Sequence, residues 1–189
     1  MRAFPILMML GSAVLMAAAP QAARAQLSAA WRGCIGDSAP APHQQIASCT
    51  EVTRTGGETR PHLAVAFFNR GVVQQQQGAL GRARADYTRA ARLDPRLAEA
   101  WVARGGVSYA AADYGGAQSD FDRAIGLSPR GADGYMGRGA VRAAQGDVSG
   151  AFADYDRAVG LAPAFYGRGV ATSLDPRVAL LYAQVGVTP

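Results

Sequence analysis

The side chains of this chain that could do chemistry are few, and their spacing decides what chemistry is open to them. Cys34 and Cys49 are the whole cysteine complement. An even count reads as a structural disulfide if the chain is exported, with free thiols as the alternative. The pair lacks the C-x-x-C spacing of a redox couple, and no second Cys/His pair stands nearby to complete a zinc site. His43 and His62 have no suitably spaced Cys, Asp or Glu around them to make a metal site or a triad, so both read as solvated histidines. The carboxylates Asp120/Asp122 and Asp154/Asp156 are two apart, which on a helix puts the members of each pair on different faces and argues against a paired acid–base site. Gly105-Gly106 and Gly115-Gly116 are not phosphate loops, because neither follows a strand or precedes the Lys and Ser/Thr such a loop needs. No catalytic residue, metal site or cofactor is expected.

The elements that would position these residues begin with a segment of different character. Arg2, an apolar run from Ala3 to Ala19, Pro20 and the string Ala23-Arg24-Ala25 follow the order of a secretory signal, so residues 1–25 are expected to be cleaved. An uncleaved membrane anchor is the alternative, since the run approaches the length that spans a bilayer. Without those residues the chain holds 17 arginines against the 14 acids of the full sequence, a net charge of +3. That weak basic balance does not suit a dedicated nucleic-acid binder, and none is expected as partner. All 19 basic residues are arginine, which suits bidentate contacts but also follows from base composition.

Beyond the leader the sequence repeats itself. The strings ADYTRAARLDP (85–95), SDFDRAIGLSP (119–129) and ADYDRAVGLAP (153–163) stand in register, and the match extends back to Arg70-Gly71, Arg104-Gly105 and Arg138-Gly139 and to the aromatics Phe67, Trp101 and Tyr135. Within one unit, Trp101, Val107, Phe121, Ile125 and Leu127 fall into two helical stripes separated by a turn at Asp113-Tyr114-Gly115-Gly116. Each stripe is too narrow to form a core alone. Stacked neighbours bury it, and about three repeats are the usual minimum.

This period, with an early aromatic, a glycine four residues later, a mid-repeat alanine, an aromatic–Ala pair and a closing proline, resembles the tetratricopeptide repeat (TPR). The resemblance implies an all-α fold: a helix-turn-helix solenoid wound as a right-handed superhelix, with three repeats at 64–97, 98–131 and 132–165. Gly71, Gly105 and Gly139, with Ala83, Ala117 and Ala151, would let the two helices of each pair approach closely, and each proline would end a second helix. Arg70, Arg104 and Arg138 precede Asp86, Asp120 and Asp154 in step with the repeat. Such pairs read as links within or between repeats rather than as a line of charges that grips a ligand.

The TPR resemblance also implies that the first helix of each pair lines a concave groove. Its candidate binding residues are Phe68, Asn69, Val72 and Gln75, then Val102, Gly106 and Tyr109, then Met136 and Ala140. TPR proteins that clamp a carboxylate tail use Lys, Asn and Arg there, whereas this chain has Phe68, Val72, Ala103, Asp133 and Gly137, and only Asn69 fits. The expectation is an extended or helical apolar protein segment held by Phe68, Tyr109 and Met136. The alternative is that these side chains pack beneath a terminal helix.

The flanks read as caps. In residues 26–60, a helix over 43–54 with Ile46, Cys49 and Val52 on one face would cover the first repeat, tied to the Trp31 segment through Cys34. The strings GCIGD, IASCTEV and FNRG resemble the start of small exported bacterial TPR proteins. At 166–189, Ser173 or Asp175 with Pro176 would open a short terminal helix. The function expected is that of a non-catalytic TPR module for protein or peptide binding, periplasmic or secreted, with no integral membrane segment after cleavage. The alternative is a constitutive accessory subunit of a cell-envelope assembly.

Overall fold

The computed structural model describes residues 28–163 except 38 and 56, so the expected signal (1–25) and terminal cap (166–189) lie outside the described residues. The described elements are all helices: α1 Ala29–Cys34, α2 Pro42–Thr55, α3 Arg60–Gln76, α4 Leu80–Leu93, α5 Ala98–Ala110, α6 Tyr114–Leu127, α7 Ala132–Gln145 and α8 Val148–Leu161. The chain divides into two compact units between Arg104 and Gly105, inside α5. In the first unit α1 packs on α2, α2 on α3, and α3 on α4; in the second α6 packs on α7 and α7 on α8.

The small residues act as the repeat implies. A Cβ placed on Gly71 would stand 2.7 Å from the Tyr87 ring, on Gly105 3.0 Å from Phe121, and on Gly139 2.8 Å from Tyr155. Each aromatic ring lies directly against helix backbone, and Ala83, Ala117 and Ala151 are fully buried beside it. This contact offsets the cost of about 1 kcal/mol that a glycine carries in a helix interior.

The recurring charges brace the helices. Asp86, 2% exposed, receives both Arg70 Nε and Nη2 at 2.7 and 2.9 Å, joining α3 to α4. Arg70 Nη1 also donates to Thr50 and Thr53 of α2, so one side chain ties three helices. In the second unit Arg138 repeats the fork on Asp154 at 2.9 and 2.7 Å and reaches Asp122 of α6 at 2.7 Å. The hydrogen bond to Asp154 raises the Arg138 pKa further and keeps the guanidinium charged, and Arg142 adds a 2.8 Å contact to the same carboxylate. The guanidinium groups stack on the early aromatics: Arg70 over Phe67, Arg104 over Trp101 and Arg138 over Tyr135.

Two local features differ from the sequence expectation. The α5–α6 turn does not span Asp113 to Gly116, because the Asp113 carboxylate accepts the Gly116 amide at 3.0 Å and starts α6 at Tyr114. The reversal falls instead on 111–113, where Ala112 takes φ 59. Gly78 and Gly146 fill the corresponding places with φ 74 and 87, in open space. Of these three turns, only the one at Ala112 sets a Cβ against the left-handed conformation, so Ala112→Gly is expected to raise stability by about 1 kcal/mol, read as a higher thermal midpoint.

The amino-terminal cap is two helices rather than one. Ser28 accepts the Trp31 amide at 3.1 Å and opens the short α1, and Cys34 is bonded to Cys49 of α2. Trp31, Cys34, Ile35, Cys49, Val52 and Ala66 form one buried cluster over the start of the first repeat.

Candidate functional site

The first helix of each pair carries the candidate binding residues, and the structure sorts them by exposure. In the first unit Phe68, Asn69 and Gln75 are 1%, 4% and 6% exposed. The Phe68 ring lies 5.8 Å from that of Tyr87, and the Tyr87 hydroxyl donates to Gln75 Oε1 at 2.7 Å. Burial, with Asp86 beside it, pushes the Tyr87 hydroxyl well above the ordinary tyrosine range. These three expected lining residues present almost no surface; they belong to the α3–α4 packing, because the aromatic at Tyr87 draws both the Phe68 ring and the Gln75 amide inward. Asn69 Nδ2 is buried without a hydrogen-bond partner. Val72 and Val102 remain partly exposed.

In the second unit Gly106 and Tyr109 are partly exposed, three residues apart and so on one face of α5. A Cβ on Gly106 would meet nothing within 4 Å, unlike one on its neighbour Gly105. The Tyr109 ring leans on Tyr114 of α6 at 5.7 Å. Met136 is partly buried against the cluster of Tyr155, Ala132, Ala143, Ala151 and Ala158, and Ala140 is 6% exposed. Of the candidate residues in this unit, Gly106 and Tyr109 are therefore the open ones, with Met136 giving part of its surface to packing.

The polar candidates are placed as follows. His43 is exposed on α2. His62 Nδ1 lies 2.9 Å from Glu58 Oε2, the other Glu58 oxygen accepts the Trp31 indole N–H, and the His62 ring meets Trp31 edge-on at 5.7 Å. His62 is thus half solvated and half engaged in holding α1 against the start of α3. The Glu58–His62 spacing could have signalled an i,i+4 pair, whereas the long-range partner Trp31 left no mark in the local sequence. Asp120 is 4% exposed while the Asp122 side chain is 46% exposed, as their two-residue spacing requires. Among the described residues no group of three His, Cys, Asp or Glu could hold a metal ion, and no helix is long and apolar enough to cross a membrane.

Paired helices with a glycine-to-aromatic contact at each crossing, repeated in step, define a helical-repeat protein. Residues 64–97 match the family described as tetratricopeptide repeat, over the bounds expected for the first repeat. Among solved structures the fold is similar to that of MamA, at TM-score 0.65 and 19% identity over 85% of this chain and 86% of that one. It is also similar to the first TPR of Spaghetti (RPAP3) bound to the HSP90 peptide SRMEEVD, at TM-score 0.57 and 22% identity over 70% and 100%. The first TPR domain of human RPAP3 gives TM-score 0.55 and 26% identity over 62% and 96%. No curated protein matches the chain. One repeat, residues 64–97, thus matches the tetratricopeptide repeat, and the described residues share the all-α helical-repeat fold of these solved structures.

Proposed function

We propose that this chain is a non-catalytic module that binds a protein or peptide partner through the open face of α5, and that it is periplasmic or secreted. The observation that carries the reading is the open face of α5, where Gly106 leaves space unfilled next to the partly exposed Tyr109. Gly81, Gly115, Gly126 and Gly160 are open in the same way, and Gly106 is set apart by the partly exposed Tyr109 on the same face of its helix. The similar RPAP3 repeat is solved with an HSP90 peptide, so this fold admits a peptide ligand. With Phe68, Val72, Ala103, Asp133 and Gly137 where a clamp would need bases, the ligand proposed here is an apolar segment rather than a carboxylate tail. Export is supported by the signal-like order of residues 1–25 and by the Cys34–Cys49 bond.

The test is capture of a crosslinked partner from a cell-envelope extract by the native chain and by Gly106→Phe. The variant should keep its melting temperature, since a Cβ at this position meets nothing within 4 Å, and should lose about tenfold or more of the captured partner. Equal capture by both would remove this face from recognition.

A second reading, a constitutive subunit of an envelope assembly, is favoured by Gly126 and Gly160, whose helix cost no neighbour offsets within 4 Å. A melting transition of the isolated protein below growth temperature would select it.

A further inference from the structure

We propose that the outer face of α4 docks this protein on an anionic lipid surface, independently of the peptide-binding face. The exposed side of α4 presents Arg82, Arg89 and Arg92, with Gly81, Ala85 and Thr88 between them and no carboxylate. Arg60 extends the patch, donating to the Arg92 carbonyl at 3.3 Å, and exposed Arg96 follows the helix. None of Arg82, Arg92 and Arg96 has a carboxylate partner among the described residues.

The repeat itself separates architecture from what is added to it. Arg89 recurs as Arg123 and Arg157, and its role is structural, since it pairs with Asp86 at 3.1 Å and stacks over Phe67. Arg82 and Arg92 do not recur. Their places hold Gly116 and Gly126 in α6 and Gly150 and Gly160 in α8, while Thr88 becomes Asp122 and Asp156. The fold is built twice without these arginines, so packing does not explain them. Their effect is a charge asymmetry: residues 28–104 carry ten arginines and six acids, residues 105–163 five and seven.

The form of the patch selects its partner. It lies on one side of a single 14-residue helix, about 21 Å long, with small residues between the guanidiniums and open space at Gly81. A peptide or small anion is held best in a concavity, whereas a layer of phosphate headgroups needs only a face that several arginines can approach together. The absence of a large apolar side chain on this face limits the contact to headgroup depth, so binding is electrostatic and falls with salt.

The experiment is sedimentation of the full chain with vesicles of phosphatidylcholine alone or with about one third phosphatidylglycerol, at about 25 and 300 mM NaCl. Insertion of the apolar first residues, where it occurs, is common to both lipids and both proteins and cancels in the comparison. The native chain should favour the anionic vesicles by about tenfold at low salt, and Arg82→Glu/Arg92→Glu should lose that preference with its melting temperature unchanged. Three results would overturn the proposal: no lipid preference in the native chain, a preference kept by the variant, or stronger binding to a labelled poly-glutamate peptide than to the anionic vesicles. The last would make α4 a docking site for an acidic protein.

Discussion

Asp86→Ala is expected to lower the stability of the folded chain by about 3 to 5 kcal/mol, measured by urea denaturation, because it strands a charge rather than removing a surface pair. The Arg70 side chain is 12% exposed and turns its fork onto a carboxylate that is 2% exposed. Without that carboxylate the guanidinium keeps only Thr50 and Thr53 as hydrogen-bond partners, beside the Phe67 ring, and α2, α3 and α4 lose their common tie. A second substitution separates the charge from the shape. Arg70→Met combined with Asp86→Leu removes both charges and should recover a large part of the loss, since the penalty arises from the unpaired partner. If Asp86→Ala melted like the native chain, the recurring Arg–Asp pair would be ornament on a fold held by its aromatics alone.

Breaking the Cys34–Cys49 bond by Cys34→Ala/Cys49→Ala should cost about 3 kcal/mol, the chain-entropy value for a loop of 15 residues. The cost should be local in its structural effect. The bond holds α1 against α2, and α1 brings Trp31 and Cys34, with the adjoining Ile35, to the buried cluster and packs Ala30 against it. Trp31, now 4% exposed, is expected to become solvated, with its fluorescence shifted to the red while the far-ultraviolet helix signal stays near native. Fluorescence unchanged in the variant would mean that the Glu58 bridge to Trp31 and His62 suffices to hold the cap.

The parts of this account that the sequence made legible are those written more than once. Gly71, Gly105 and Gly139 stand in register with Tyr87, Phe121 and Tyr155, and the close helix approach they imply is what the rings and backbone show. The Arg70–Asp86 and Arg138–Asp154 pairs were legible for the same reason. Features present once were harder to read. The short α1 depends on a cap from Ser28 and on a partner for Trp31 that lies 27 residues away at Glu58. Ala112 occupies a left-handed turn that Gly78 and Gly146 announce in the other repeats, and alignment of the three turns would have exposed it.

The proposed binding face shows the same limit in sharper form. The TPR resemblance assigned Phe68 and Gln75 to an open lining, yet Tyr87 takes both into the packing of α3 on α4. Periodicity tells which side of a helix a residue occupies; the size of the side chain opposite decides whether that side is filled. At Gly106 nothing opposite fills it. The arginines of α4 carry a different lesson, because their signal is a departure from the repeat, and a search for what recurs passes over it.

The central claim, that the open face of α5 recognises a partner while the recurring residues hold the fold, is tested most directly by measuring partner capture and thermal melting together on Tyr109→Ala. The account predicts capture reduced by about tenfold with a melting temperature close to native, since the ring of Tyr109 is partly exposed and rests on Tyr114 at the surface. Capture that stays at the native level, or that falls only in proportion to lost stability, would contradict it and leave Tyr109 as one more packing residue of the repeat.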